Sequence, residues 1–155
     1  MHATLVPSAL DTSLLISDLK YRRRDTALAE LVSRAAEAGA VRSPDALLDL
    51  LAARGKRVSE SLGRAVALLA ARSLAVPESR LVIGRSRRGI DWSSLDEEPV
   101  KLVALLLSPA DRPLASHLAA LLRIAALLRQ QRSRTKLLEA DSAGELAAVV
   151  REALT

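Results

Sequence analysis

The chain has 155 residues, a formal net charge of +5 and 50% hydrophobic residues, with one Tyr, one Trp, no Phe and no Cys. That length predicts one domain burying roughly 68–70% of the surface of its unfolded chain; the lack of Cys excludes disulfides, thiolate metal sites and a Cys nucleophile, and the scarcity of aromatic rings argues against a single-stranded nucleic-acid partner, which needs stacking platforms. No apolar run reaches the ~18 residues of a membrane span, and the start MHATLVPSAL has no basic segment leading into an apolar one, so we expect a cytoplasmic protein that neither inserts in a membrane nor binds nucleic acid.

In chain order, Leu14–Leu19 (LLISDL) predicts a first short strand. Tyr21-Arg22-Arg23-Arg24 follows, a basic run that reads as a solvated surface or a contact for an acidic partner. Asp25 is the expected N-cap of a helix whose apolar positions are Ala27, Leu28, Leu31, Val32 and Ala35, closed by Gly39. Ser43-Pro44 opens a second helix, with Ser at the cap and Pro in the first turn, ending near Gly55. Val58 to Arg72 (VSESLGRAVALLAAR) reads as a loop and strand. Leu81–Gly84 and Leu102–Leu107 are short apolar runs bounded by Gly, Pro and Ser; the second does not alternate, which predicts a strand covered on both faces. Arg85, Arg87 and Arg88 are expected on a turn at the end of the sheet, neutralised by Asp91, Asp96, Glu97 and Glu98 nearby. These carboxylates have no His at metal-ligand spacing beside them. From Pro113 a helix with Leu114, Leu118, Leu121, Leu122, Ala125 and Leu128 is expected, broken at Gln130–Ser133 and followed by a short helix Thr135–Ala140. Ser142 and Glu145 have capping-box spacing before a last helix with Leu146, Val149, Val150 and Leu154. A strand buried on both faces, with helical patterns before and after it, predicts a layered α/β domain. No P-loop, dinucleotide fingerprint or nucleophile elbow occurs, so no cofactor is expected.

Gly89-Ile90-Asp91-Trp92, Leu95-Asp96, Pro99-Val100, the apolar strand ending Leu107-Ser108-Pro109, and Ser116-His117-Leu118 opening a Leu-rich helix together resemble the type-2 EIIA domain of the bacterial phosphotransferase system, in its fructose/mannitol and nitrogen-regulatory branches. The resemblance runs from about Leu10 to the C-terminus. It implies a three-layer α/β/α sandwich with a mixed central sheet of about four to five strands, here as a free-standing domain with no attached EIIB or EIIC segment.

The resemblance also implies where the chemistry lies. Such domains read Gly-Ser-Thr-Gly-Ile-Gly-Asn-Gly, a few apolar residues, then Pro-His-Ala/Gly-Arg, the His accepting a phosphoryl group from HPr and passing it to EIIB. Imidazole suits that exchange because its neutral nitrogen is a nucleophile at neutral pH. Against this pattern Gly63, Val66, Ala67, Leu68 and Arg72 match, whereas Arg64 stands at the Asn, Ala65 at the following Gly, Leu69 at the Pro and Ala70 at the phosphorylated His. Arg72 and His117 match residues that flank the site. Three readings follow. The first is a regulator that has lost phosphoryl transfer and works through protein contacts with a regulator, transporter or phosphotransferase component. The second is a phosphocarrier using His117, and the third an anion sensor at Arg64, Arg72 and His117. His117 packing or capping the start of its helix, with both Arg in solvent, is the plain structural alternative, and a homodimer stays open.

Overall fold

The computed structural model describes residues 11–55, 60–92 and 98–154. Among them are five strands and five α-helices, in the order β1 (Leu15–Ile16), α1 (Arg24–Glu37), α2 (Pro44–Gly55), β2 (Ser61–Gly63), β3 (Val66–Ser73), β4 (Arg80–Ile90), β5 (Val100–Pro109), α3 (Leu114–Arg129), α4 (Gln131–Glu139) and α5 (Ala143–Leu154). The sheet order is β1-β4-β5-β3-β2. β1 with β4 and β3 with β5 run parallel, while β4 with β5 and β2 with β3 run antiparallel.

β5 is central because it is the strand apolar on both faces, and every residue from Leu102 to Leu107 is fully buried. Val103, Leu105 and Leu107 join one core with α1 and α2 residues such as Leu28, Leu31 and Leu47; Leu102, Ala104 and Leu106 join the other with Ile124, Leu128, Leu137 and Val150 of α3, α4 and α5. β3 splits the same way, with Ala67, Leu69 and Ala71 toward the first layer and Val66, Leu68 and Ala70 toward the second. The period-two alternation of side chains thus builds the expected three-layer α/β/α sandwich.

The ends of several elements follow from local chemistry. Gly39, at φ +79°, terminates α1 as expected: its amide bonds Ala36 O at 3.0 Å and the Ala40 amide bonds Ala35 O at 2.8 Å, the paired bonds of a Schellman motif. The Ser142 half of the expected capping box at α5 forms, the Glu145 amide bonding Ser142 Oγ at 3.1 Å, while the Glu145 carboxylate accepts from the amide of Asp141, one residue before the cap. The cap of α1 differs from expectation: Arg23 is the N-cap and Asp25 lies in the first turn. There the Asp25 carboxylate accepts from Arg24 at 2.8 Å instead of from the helix amides. α4 also begins earlier than Thr135, because Gln130 serves as both the last cap of α3 and the first of α4. Buried Arg134 stabilises that junction by donating to Leu128 O at 3.0 Å and Arg129 O at 2.6 Å, the free carbonyls of the α3 end.

The expected turn after Gly84 is instead an irregular stretch within β4. Pairing shifts from Arg85 with Leu102 to Ile90 with Val100, so residues 86 to 89 of β4 stand opposite the single residue Lys101 of β5. The Gly89 amide bonds Ser86 Oγ at 3.0 Å, and Gly89 has φ +92°. Arg87 and Arg88 are exposed there, but Arg85 is 2% exposed and donates to Ser17 O at 2.7 Å and Leu138 O at 2.9 Å, tying the end of β1 to α4. Burial, then the Arg87 charge, pushes its pKa down. Local neutralisation therefore does not describe Arg85, and Arg87 lies 3.7 Å from Asp141 of a different segment. Asp96 and Glu97 fall outside the described residues.

Candidate functional site

The hairpin ahead of the site closes through Arg64 and Ala65, at φ 55° and 66°, between paired Gly63 and Val66. Two central residues with positive φ are the geometry of a type I′ turn, which favours Asn-Gly because other L-residues crowd their own backbone there. The turn backbone thus has left-handed geometry although Arg and Ala occupy it.

From this hairpin β3 runs unbroken, Leu69 pairing with Leu105, Ala70 with Leu106 and Arg72 with Ser108. Leu69 is buried toward α1 and α2, while Ala70 packs against the core beneath α3, α4 and α5. Alternation puts Arg72 on the same face as Ala70. Arg72 Nη2 donates to Ala110 O at 3.3 Å and to Arg112 O at 2.8 Å, while its buried Nε has no partner. Its guanidinium braces the connection from β5 to α3 instead of standing in solvent. His117, in the first turn of α3 and 8% exposed, places Nδ1 2.7 Å from Ser108 Oγ.

Arg72, Ser108 and His117 therefore converge at the C-terminal end of β3 and β5, with Ala70 on the same face one pleat earlier. Arg64 does not join them. It lies beyond the opposite end of β3, a strand spanning roughly 23 Å at about 3.3 Å per residue. Nothing local in the sequence marks Ser108 as a site residue; its register opposite Arg72 is what makes it part of this group.

A second cluster was not foreseen. Arg24 grips Glu60 with two bonds, Nε to Oε1 at 2.7 Å and Nη2 to Oε2 at 2.8 Å, and also donates to Leu51 O at 3.0 Å. Trp92 Nε1 donates to the same carboxylate at 3.1 Å, and its ring centroid lies 5.7 Å from Arg24 Cζ. Paired this way, Arg24 has its pKa raised, chiefly by the bond to Glu60. The cluster joins the start of α1, Leu51 within α2, the residue before β2 and Trp92 just after β4. Arg24 is thus partly buried and tied to other segments of the fold, while Arg22 and Arg23 of the same run are exposed. No local signal marks this, since Glu60 is 36 residues away.

Among the described residues no group of three or more His, Cys, Asp or Glu is placed to hold a metal ion, and no helix is long and apolar enough to cross a membrane. The comparisons agree with the architecture. Over 94% of this chain and 99% of the other, the fold superposes with TM-score 0.85 on the nitrogen regulatory protein IIA-Ntr from Neisseria meningitidis, at 26% identity. On IIA mannitol from Escherichia coli the TM-score is 0.75 over 91% of this chain and 98% of that one, at 14% identity, a likeness of fold alone. In sequence the chain is 31% identical to the PTS system fructose-specific EIIA component of Haloferax volcanii, covering 92% of each. It is 36% identical to a nitrogen regulatory protein of Bradyrhizobium diazoefficiens, covering 79% of each. It spans only 21% of the length of the PTS system fructose-specific EIIABC component of Bacillus subtilis, at 26% identity over 135 residues. With residues 8–153 matching the model of the phosphoenolpyruvate-dependent sugar phosphotransferase system EIIA 2 family, the chain belongs to that family.

Proposed function

We propose that this chain is a regulatory EIIA-fold protein of the cytoplasm that has lost phosphoryl transfer and acts by contact with other proteins. One observation carries the reading: Ala70 occupies the position that the family pattern gives to the phosphoacceptor His, and a methyl group has no lone pair to attack phosphorus. The surroundings support it. Leu69 stands at the Pro, β3 continues as regular strand through both positions, and Arg72 is engaged with backbone carbonyls. His117 is a poor replacement acceptor because it is buried and its Nδ1 is held against Ser108. The nitrogen regulatory relative makes regulation the family role that this chain fits best. A solved complex of IIA mannitol with phosphorylated IIB mannitol supports contact with protein partners.

The test is incubation with enzyme I, HPr and radiolabelled phosphoenolpyruvate. The wild type is expected to take up no acid-labile label. Label that disappears in His117→Ala overturns the proposal in favour of a working phosphocarrier.

A second reading is favoured by the convergence of Arg72, Ser108 and His117: a small-anion site at the end of β3, with Arg72 Nε as an unused donor. Arg64 has no part in it. Calorimetry with phosphate, phosphoenolpyruvate and nucleotides checks this, and heat that survives in Arg72→Met removes it.

A further inference from the structure

The outer side of α3 does not look like the outside of an ordinary surface helix. Its inner side buries His117, Ala120, Ile124, Leu127 and Leu128. On the opposite side Leu114, Leu118 and Leu122 are 50%, 46% and 71% exposed, with Ala115, Ala119 and Ala126 exposed beside them. Four-residue spacing stacks the three leucines into one ridge. A helix apolar on both sides is normally buried on both sides, and this one is not. Leu74, 75% exposed, stands at the same end of the sheet, next to Ser73, whose carbonyl accepts the Ala110 amide at 3.2 Å.

Charge narrows what covers this ridge. From Arg112 to Leu138 the chain has no Asp or Glu, and six cations: Arg112, Arg123, Arg129, Arg132, Arg134 and Lys136. Arg134 is buried, Lys136 lies 4.0 Å from Glu152 and Arg112 lies 3.9 Å from Asp111, which leaves Arg123, Arg129 and Arg132 as the exposed cations of α3 and the start of α4, Arg123 also donating to Leu154 O. A second copy docking by this face sets cation against cation, a repulsive arrangement. An anionic membrane matches the charge, yet the face has none of the Trp or Phe that usually anchor interfacial helices, and its ridge is one residue wide.

We infer that the α3 ridge is a docking surface for an amphipathic helix of a partner protein whose apolar stripe is bordered by Asp and Glu. Apolar anchors in line on a helix ridge, with complementary charge at the rim, are the makings of helix-on-helix packing against an amphipathic partner helix. The inference rests on the reading of this chain as a regulator acting by protein contact, and gives that contact an address and a chemistry.

The test titrates the isotopically labelled full chain with a synthetic helical peptide carrying Leu at four-residue spacing flanked by Glu. A matched peptide with Lys flanks and vesicles of phosphatidylcholine with phosphatidylglycerol serve as the comparisons. The Glu peptide is expected to shift the amides of Leu114–Arg129, to bind at least tenfold more weakly to Leu118→Glu and to Leu122→Ser, and to lose affinity as salt rises. Both residues are about half-exposed or more, so both variants should fold. Equal binding of the Lys peptide, shifts confined to another face, or vesicle binding abolished by Leu122→Ser overturns the inference, as does a dimer in sedimentation that Leu122→Ser dissolves. Phosphate labelling fails or succeeds independently: label on the chain ends the proposed loss of transfer and leaves the α3 map standing, whereas an α3 silent to the Glu peptide ends the docking surface alone.

Discussion

Arg64 and Ala65 hold a backbone that side-chain-bearing L-residues adopt at a cost of about 1–2 kcal/mol each. Replacing them with Asn and Gly, the pair that a type I′ turn favours, should stabilise the protein by about 1 kcal/mol after the extra chain entropy of Gly is subtracted; the midpoint of chemical denaturation measures it. Ala70→His is expected to give a folded protein that still takes no label from HPr. Its imidazole would project from the middle of an unbroken strand, with Leu69 rather than Pro before it. Labelling of that variant at a rate comparable to that of an active family member would show that only one side chain separates this chain from a carrier. Glu60→Ala leaves Arg24 and the indole N–H without their shared acceptor, so a loss of about 2–3 kcal/mol is expected. The fluorescence of Trp92, the sole indole, should shift in the native state and report it directly.

At the scale of elements, the apolar patterns were legible wherever one period dominated. The spacing of Leu28, Leu31, Val32 and Ala35 announced α1, and the unbroken run Leu102–Leu107 announced a strand covered on both sides. Boundaries were less legible where a side chain serves a remote partner. Asp25 has the residue type of a cap, but Arg24 must enter the helix for its guanidinium to reach Glu60. The stretch from Arg85 to Gly89 resembles a turn because its residues are polar, and becomes an irregular strand because Arg85 finds carbonyls on two other segments. Leu105→Ala should cost about 3–4 kcal/mol, since the site lies at the centre of the packed sheet and has little room to collapse; thermal unfolding reads this.

At the scale of the molecule, two cores share one sheet, with β5 contributing to both. Cooperative unfolding is therefore expected, with Trp92 fluorescence and far-UV circular dichroism giving the same midpoint. Separate midpoints would show that the α1–α2 layer and the α3–α5 layer melt independently.

Residue order alone was enough for the layered α/β class, for the absence of an imidazole at position 70, and for the lack of any thiolate chemistry, because each depends on residue type or on periodicity within a short window. Only the folded chain decided that Arg72, Ser108 and His117 meet while Arg64 stays apart, that Arg24, Glu60 and Trp92 close into one cluster, and that the leucines of α3 face outward. Those outcomes depend on the register between strands and on which face of a helix the sheet covers, and both are set by contacts between residues far apart in the chain.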